Sequence, residues 1–275
     1  MPGSEEVALA FDLGTPDGDL IHVRRGDADA WRLNTSTGSY FVKGYLAAAD
    51  VHQLELAMAF ERQALASGVD MPEPIAPTNP LLGWVTRIED RLFRVYRWIE
   101  HRPPEPDISA WLGGTMAKVH ELQPLGRAGL PRWWRQAVQP PGTWQGWFTH
   151  NIVTSPSGPV LVDWDSVRTD SAALEAGRSA YIFGDGEPEQ IKRILTAYVA
   201  AGGDLGWAGA DLFLSVARNV VQVLGEQIRV SLGETTAVRW MGDHTTIENA
   251  IGNTLRDLPG KLDQLHRATQ TIDLL

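Results

Sequence analysis

The 275-residue chain contains no cysteine. That excludes disulfides, thiol nucleophiles and thiolate metal sites, and it fits a cytoplasmic setting. No apolar run approaches the roughly 20 residues of a membrane span, so no membrane partner is expected. The opening MPGSEEVALAFDLG lacks a basic start followed by a greasy stretch, and no secretion signal is expected. Basic residues are scarce: 24 Lys and Arg against 34 Asp and Glu leave a net charge of −10. Nucleic acid needs a basic footprint and is excluded as a partner. A small, cationic molecule is compatible with the acidity, as is plain solubility. Internal repeats, low-complexity tracts and the phosphate-loop patterns G-x-G-x-x-G and G-x-x-x-x-G-K-[ST] are also missing. Nothing in the sequence points to an oligomeric state.

What is present is an ordinary globular composition, 43% hydrophobic and 21% charged, enough for one large or two modest domains. The first hundred residues read mainly as strands. LIHVRR (20–25) is a short strand, and AWRLNTSTGSYFVKGY (30–45) is a hairpin turning at TSTG. DVHQLELAMAFERQALASG (50–68) predicts a helix capped by Asp50, with Leu54, Met58 and Leu65 on its apolar side. LGWVTRIEDRLFRVYRWIE (82–100) reads as two strands meeting at EDR. The proline-rich HRPPEPD (101–107) is the best linker, and helical patterns follow it. Leu112, Met116, Val119 and Leu122 share one helix face, with Gly113-Gly114 suggesting close helix packing. Leu212, Val216, Val220 and Leu224 share another; Ile247, Ile251 and Leu255 share a third, which Pro259 is expected to break.

Several residues could carry chemistry. Lys43 ends the strand SYFVK and could aim an ammonium into a cleft. Glu61, on the following helix, could orient that lysine; each alone also reads as a surface charge. Asn151 and Asp163 offer the hard oxygens that Mg²⁺ prefers, and the turn TSPSGP between them would bring both to one end of a hairpin. Asp165 could serve the metal or cap the next helix. His120 lies on the face of Leu112 and Met116 and reads as a core histidine. The eleven tryptophans, with RWW at 132–134 and Trp144 and Trp147 nearby, form either a ring-binding surface or packing.

In order, these pieces resemble the aminoglycoside phosphotransferase and choline kinase-like family, small-molecule relatives of protein kinases, across most of the chain. TSTGSYFVK is similar to the strands bearing the phosphate-contacting lysine, here Lys43. FERQALASGVDMPEPI is similar to the helix of its glutamate partner, here Glu61. YRWIEHRPP resembles the hinge that pairs with adenine, here Arg97, Trp98 and Ile99. LGGTMAKVHEL resembles a family helix, and HNIV…VLVDWDS the metal-binding segments with Asn151 and Asp163. The resemblance implies an α+β, bilobal protein-kinase-like fold. It places a nucleotide-binding, β-rich lobe at 1–100 and a helical lobe with the catalytic and metal loops at 101–275. It implies ATP or GTP with Mg²⁺ as cofactors, and transfer of a phosphoryl group to a small-molecule hydroxyl.

One departure is clear. The family loop reads H-G-D-x-x-x-x-N, and counting back from Asn151 gives Trp144-Gln145-Gly146, so Gly146 stands where the catalytic aspartate is expected. Between Ile108 and Val162 the only acid is Glu121, which belongs to the preceding helix. His150 is the nearest group able to accept a proton at neutral pH. Two readings follow: a phosphotransferase impaired at this position, or an inactive relative that binds a nucleotide or another ligand on the same fold.

Overall fold

The structure, a computed structural model, describes residues 3–24, 28–45, 50–103, 107–122, 151–166, 171–237 and 241–272. It opens with a helix absent from the sequence reading, α1 (Ser4–Phe11). Two turns are marginal in isolation; α1 is held because Val7, Ala8 and Phe11 bury against the sheet beneath it, and the Glu6 carboxylate accepts from the Gly3 amide at 2.9 Å.

That sheet is antiparallel. β1 (Ile21–Arg24), β2 (Ala28–Thr35) and β3 (Gly38–Tyr45) run as successive neighbours. β6 (Arg91–Arg97) lies next to β3, with β4 (Pro74–Ile75) beyond it and the short β5 (Thr86–Ile88) also pairing with β6. Trp31, Leu33, Val42, Phe93 and Val95 point to the α1 face. Alternation then sends Lys43, Arg94 and Tyr96 to the opposite face. β6 is therefore buried on both sides, and it carries an arginine, Arg94, in the middle of its buried run.

α2 (Val51–Ala66) covers that second face. Asp50 caps it as expected, accepting from the amides of His52 and Gln53 at 3.0 and 3.2 Å. Its buried stripe is Leu54, Ala57, Met58, Glu61 and Ala64; Leu65 lies off the stripe and is exposed. The segment after α2 docks on the helical lobe: the Leu161 amide donates to Asp70 at 2.8 Å, and Lys118 Nζ to the Gly68 carbonyl at 3.0 Å. Phe60 of α2 also packs on the fully buried Trp164, at 6.1 Å between rings.

The helical lobe holds α3 (Ser109–Glu121), the hairpin β7 (Ile152–Ser155) and β8 (Gly158–Leu161), and a 3₁₀ turn Trp164–Ser166. α4 (Ala172–Phe183), α5 (Pro188–Ala200), a 3₁₀ helix Gly206–Phe213, α6 (Leu214–Ser231) and α7 (His244–Ile272) follow. α3 and α5 touch at Gly113, where a Cβ would sit 2.6 Å from the Tyr198 amide nitrogen, so the close packing expected of the glycine pair belongs to Gly113. Gly114 faces open space.

Two expectations need correction. Pro259 does not break its helix; α7 runs through it. Proline deprives the carbonyl four residues back of its donor, and here that is Leu255, on an exposed stretch where solvent can serve instead. The apolar stripe of α6 is also shallower than expected. Leu212 and Val216 are buried, whereas Val220 and Leu224 are half-buried.

Candidate active site

The hairpin sets the geometry. Asn151 immediately precedes β7 and Asp163 lies two residues beyond β8, so antiparallel pairing returns both to the same end. The Val162 amide donates to the Asn151 carbonyl at 2.7 Å, and Asn151 Nδ2 donates to the Asp163 carbonyl at 3.5 Å. Asp163 holds φ at +62°, in the left-handed region that Asp tolerates better than most residues. Asp165 sits in the 3₁₀ turn that follows with its carboxylate facing the sheet, and the next helix, α4, is capped instead by Ser171.

Across from them stands Lys43. Its Nζ lies 2.5 Å from Asp163 Oδ1 and 2.5 Å from Asp165 Oδ2, bridging the sheet to the hairpin. The Tyr45 ring lies 5.7 Å from the same nitrogen. Burial opposes a charged lysine, but Asp165 and Asp163 outweigh it, so the ammonium is held above its ordinary 10.5. Burial likewise opposes ionised Asp165; Lys43 and Arg94 overcome it and hold that carboxyl below 3.8. Burial, reinforced by Asp165, pushes the Tyr45 hydroxyl well up and keeps it neutral.

The expected Lys43–Glu61 pair does not form. Glu61 is fully buried and pairs with Arg94 Nη2, while its other oxygen accepts from Tyr96 at 3.0 Å. Arg94 Nη1 reaches Asp165 Oδ1 at 2.8 Å. The physical reason is register: Arg94 lies directly opposite Lys43 on the neighbouring strand, and its longer planar fork spans two carboxylates at once. Burial pushes the Glu61 carboxyl up from 4.5, against the pull of Arg94. Arg94 is the residue that sequence reasoning missed. The available signal was an arginine at the position in RLFRVYR that alternation places with Leu92 and Tyr96, on the face opposite Phe93 and Val95.

At the hinge, the amides of Arg97 and Trp98 are already used, donating to Glu73 and Ser39 at 3.0 Å each. The Trp98 ring meets the Arg32 guanidinium at 4.6 Å and a near-parallel His101 ring at 5.9 Å. His120 is placed as expected of a core residue: Nδ1 meets the Tyr198 hydroxyl at 3.0 Å and Nε2 meets Glu175 at 3.2 Å. Gly146, His150 and the tryptophans at 133, 134, 144 and 147 lie outside the described residues.

The donor set suits a magnesium ion. Mg²⁺ takes one or two carboxylates and completes its shell with water and phosphate oxygens. Asp163, Asp165 and the Asn151 amide supply such oxygens, and the acid pair already cradles one cation, the lysine ammonium. Among the described residues no cluster of three or more His, Cys, Asp or Glu forms a self-sufficient metal cage.

No family model matches the sequence, and no curated protein does. Its fold, however, matches solved structures over nearly its full length. An aminoglycoside phosphotransferase from Alicyclobacillus acidocaldarius aligns at TM-score 0.57 and 13% identity, covering 92% of this chain and 91% of its own. A spectinomycin phosphotransferase in complex with ADP and spectinomycin aligns at TM-score 0.61 and 11% identity, over 99% and 97%. A microcompartment-associated aminopropanol kinase aligns at 0.62 and 14%, over 91% and 93%. The chain thus shares an α+β, bilobal kinase-like fold with small-molecule kinases.

Proposed function

We propose that this chain is a small-molecule phosphotransferase of the aminoglycoside phosphotransferase type, using ATP or GTP with Mg²⁺ and acting on a hydroxyl of a small molecule. The observation that carries the reading is the convergence of Lys43 with Asn151, Asp163 and Asp165 across the two lobes. It is supported by a fold shared with a kinase solved with ADP. An amino alcohol or aminoglycoside acceptor fits both the net charge of −10 and the neighbours, which include an aminopropanol kinase.

The roles divide by position. Asn151 and Asp163 would hold the metal, with Asp165 within reach of the same ion. The chemistry supplied by Mg²⁺ held there would be positive charge to offset that of a loose transition state. Lys43 would turn from the acids to the phosphates. Glu61, walled off from any ligand, supports the site through Arg94. Of the hinge residues 97–99, Ile99 is the candidate for contact with the base, since the other two amides are engaged. The lobe at 1–100 would serve the nucleotide and the lobe at 101–275 the metal and acceptor. A cytoplasmic setting supplies the nucleotide. Among the described residues no helix is long and apolar enough to cross a membrane.

Gly146 in place of the loop aspartate supports a second reading, an inactive nucleotide- or ligand-binding module. Losing a positioned base costs roughly 10²–10⁴-fold in rate, and His150 is the group best able to replace it. Phosphoryl transfer to a panel of amino alcohols and aminoglycosides, followed as ADP formation, separates the two. The enzyme reading expects slow, acceptor-stimulated ATP consumption, abolished in Asp163→Ala and raised in Gly146→Asp. Turnover untouched by Asp163→Ala refutes the enzyme reading; no turnover in the parent or in Gly146→Asp favours the binding module.

A further inference from the structure

Two cations, Lys43 and Arg94, and three carboxylates, Glu61, Asp163 and Asp165, meet between the lobes. Lys43 and Arg94 are direct cross-strand neighbours on one face of the sheet, so each projects toward α2 and the same acids. The two oxygens of Glu61 are taken by residues of a single strand, β6: Arg94 on one and Tyr96 on the other. Arg94 is 1% exposed and spends its second amino group on Asp165. Lys43 is left with the acids of the hairpin.

We infer that Arg94 is a positioning residue for Lys43: by engaging Glu61 it diverts the lysine onto Asp163 and Asp165. The ammonium then sits on both acids and offsets one of their two charges, and a divalent cation has to compete with it. The inference rests on the proposed function only in taking those acids as a cation site. Three features support the assignment. The cross-strand register sets Lys43 directly opposite Arg94, the residue that holds Glu61. The planar fork can hold Glu61 and Asp165 together, which a point charge on one nitrogen does less well. Finally, Glu61 is enclosed, so removing Arg94 leaves a buried carboxylate held by Tyr96 alone, which must gain a proton or another cation, and register sets Lys43 opposite position 94.

The test uses no nucleotide, so the outcome is independent of whether the chain proves to be a kinase. Mn²⁺ is titrated into the full chain and into Arg94→Met, each with Lys43 present and with Lys43→Met. If Arg94 acts through Lys43, Arg94→Met releases the acids and tightens Mn²⁺ binding at least about tenfold. In the Lys43→Met background the same change tightens Mn²⁺ at least about threefold less, the part that remains being the loss of Arg94's own charge and of its direct bond to Asp165. Equal tightening in both backgrounds overturns the inference. Glu61→Gln, which keeps an acceptor for Arg94 and Tyr96, guards against misfolding of the arginine variant. Its crystal structure is expected to show Lys43 Nζ still within hydrogen-bond distance of Asp163 and Asp165. A lysine that leaves the acids when Glu61 is neutralised also overturns the inference.

Discussion

Asp163 and Asp165 are two residues apart and both touch Lys43, yet the structure gives them different work. Asp165 binds Lys43 and the fully buried Arg94; its side chain is 17% exposed. Asp163 pairs with Lys43 and is 34% exposed. Asparagine at either position removes one negative charge, and Asn tolerates the left-handed backbone of residue 163. Breaking a buried ion pair by neutralising one partner costs about 3–5 kcal/mol. Arg94 keeps Glu61 and Lys43 keeps Asp163, so about 3 kcal/mol is expected for Asp165→Asn. Asp163→Asn loses a partly solvated pair, for which about 1 kcal/mol or less is expected. At roughly 2–4 °C per kcal/mol for chains of 150–250 residues, the variants should melt about 6–12 °C and under about 4 °C below the parent. Urea titration at pH 7 with matched thermal melts measures both. Activity should reverse the order of harm, with Asp163→Asn the more damaging to nucleotide-dependent turnover. Equal destabilisation by the two substitutions, or a loss under about 1 kcal/mol for Asp165→Asn, refutes the division of roles.

The same carboxyl sets a pH dependence. Its folded pKa lies below the ordinary 3.8, so its stabilisation is present above that value and lost as pH falls toward the folded pKa. The gap in urea midpoint between parent and Asp165→Asn should therefore be full at pH 7 and shrink below about pH 4; a gap that widens on acidification contradicts the assignment. At the α3–α5 contact, Gly113→Ala places a Cβ 2.6 Å from the Tyr198 nitrogen and 2.7 Å from the Ala197 Cβ. Overpacking costs about 1–3 kcal/mol and helix propensity returns about 1 kcal/mol. A net loss is expected for Gly113→Ala, against a gain of up to about 1 kcal/mol for Gly114→Ala, which meets nothing within 4 Å. Thermal melts of the two variants should move in opposite directions.

Local pattern carried much of this fold. The turn TSTG between β-rich arms, Asp50 before an apolar stripe, and the short hairpin that brings Asn151 to Asp163 were all legible, because each depends on neighbours within a few residues. α1 was not, since its two turns take their stability from a sheet formed later in the chain. Arg94 was hidden for a related reason. Its strand was recognised, but its importance arises from register with Lys43 and from contact with a helix and a loop far away in sequence. Alternation along β6 names the face and cannot name the partner. Pro259 is the opposite case: a residue that locally argues for a break is carried within α7, because the carbonyl it deprives of a donor lies on an exposed stretch.

The central claim is a cation and phosphate site formed by Lys43, Asn151 and Asp163. Calorimetric titration of the purified chain with ATP, with and without Mg²⁺, tests it most directly. Binding that Mg²⁺ strengthens, and that Asp163→Ala abolishes, is the predicted result. No heat of binding in either condition would contradict the nucleotide site itself.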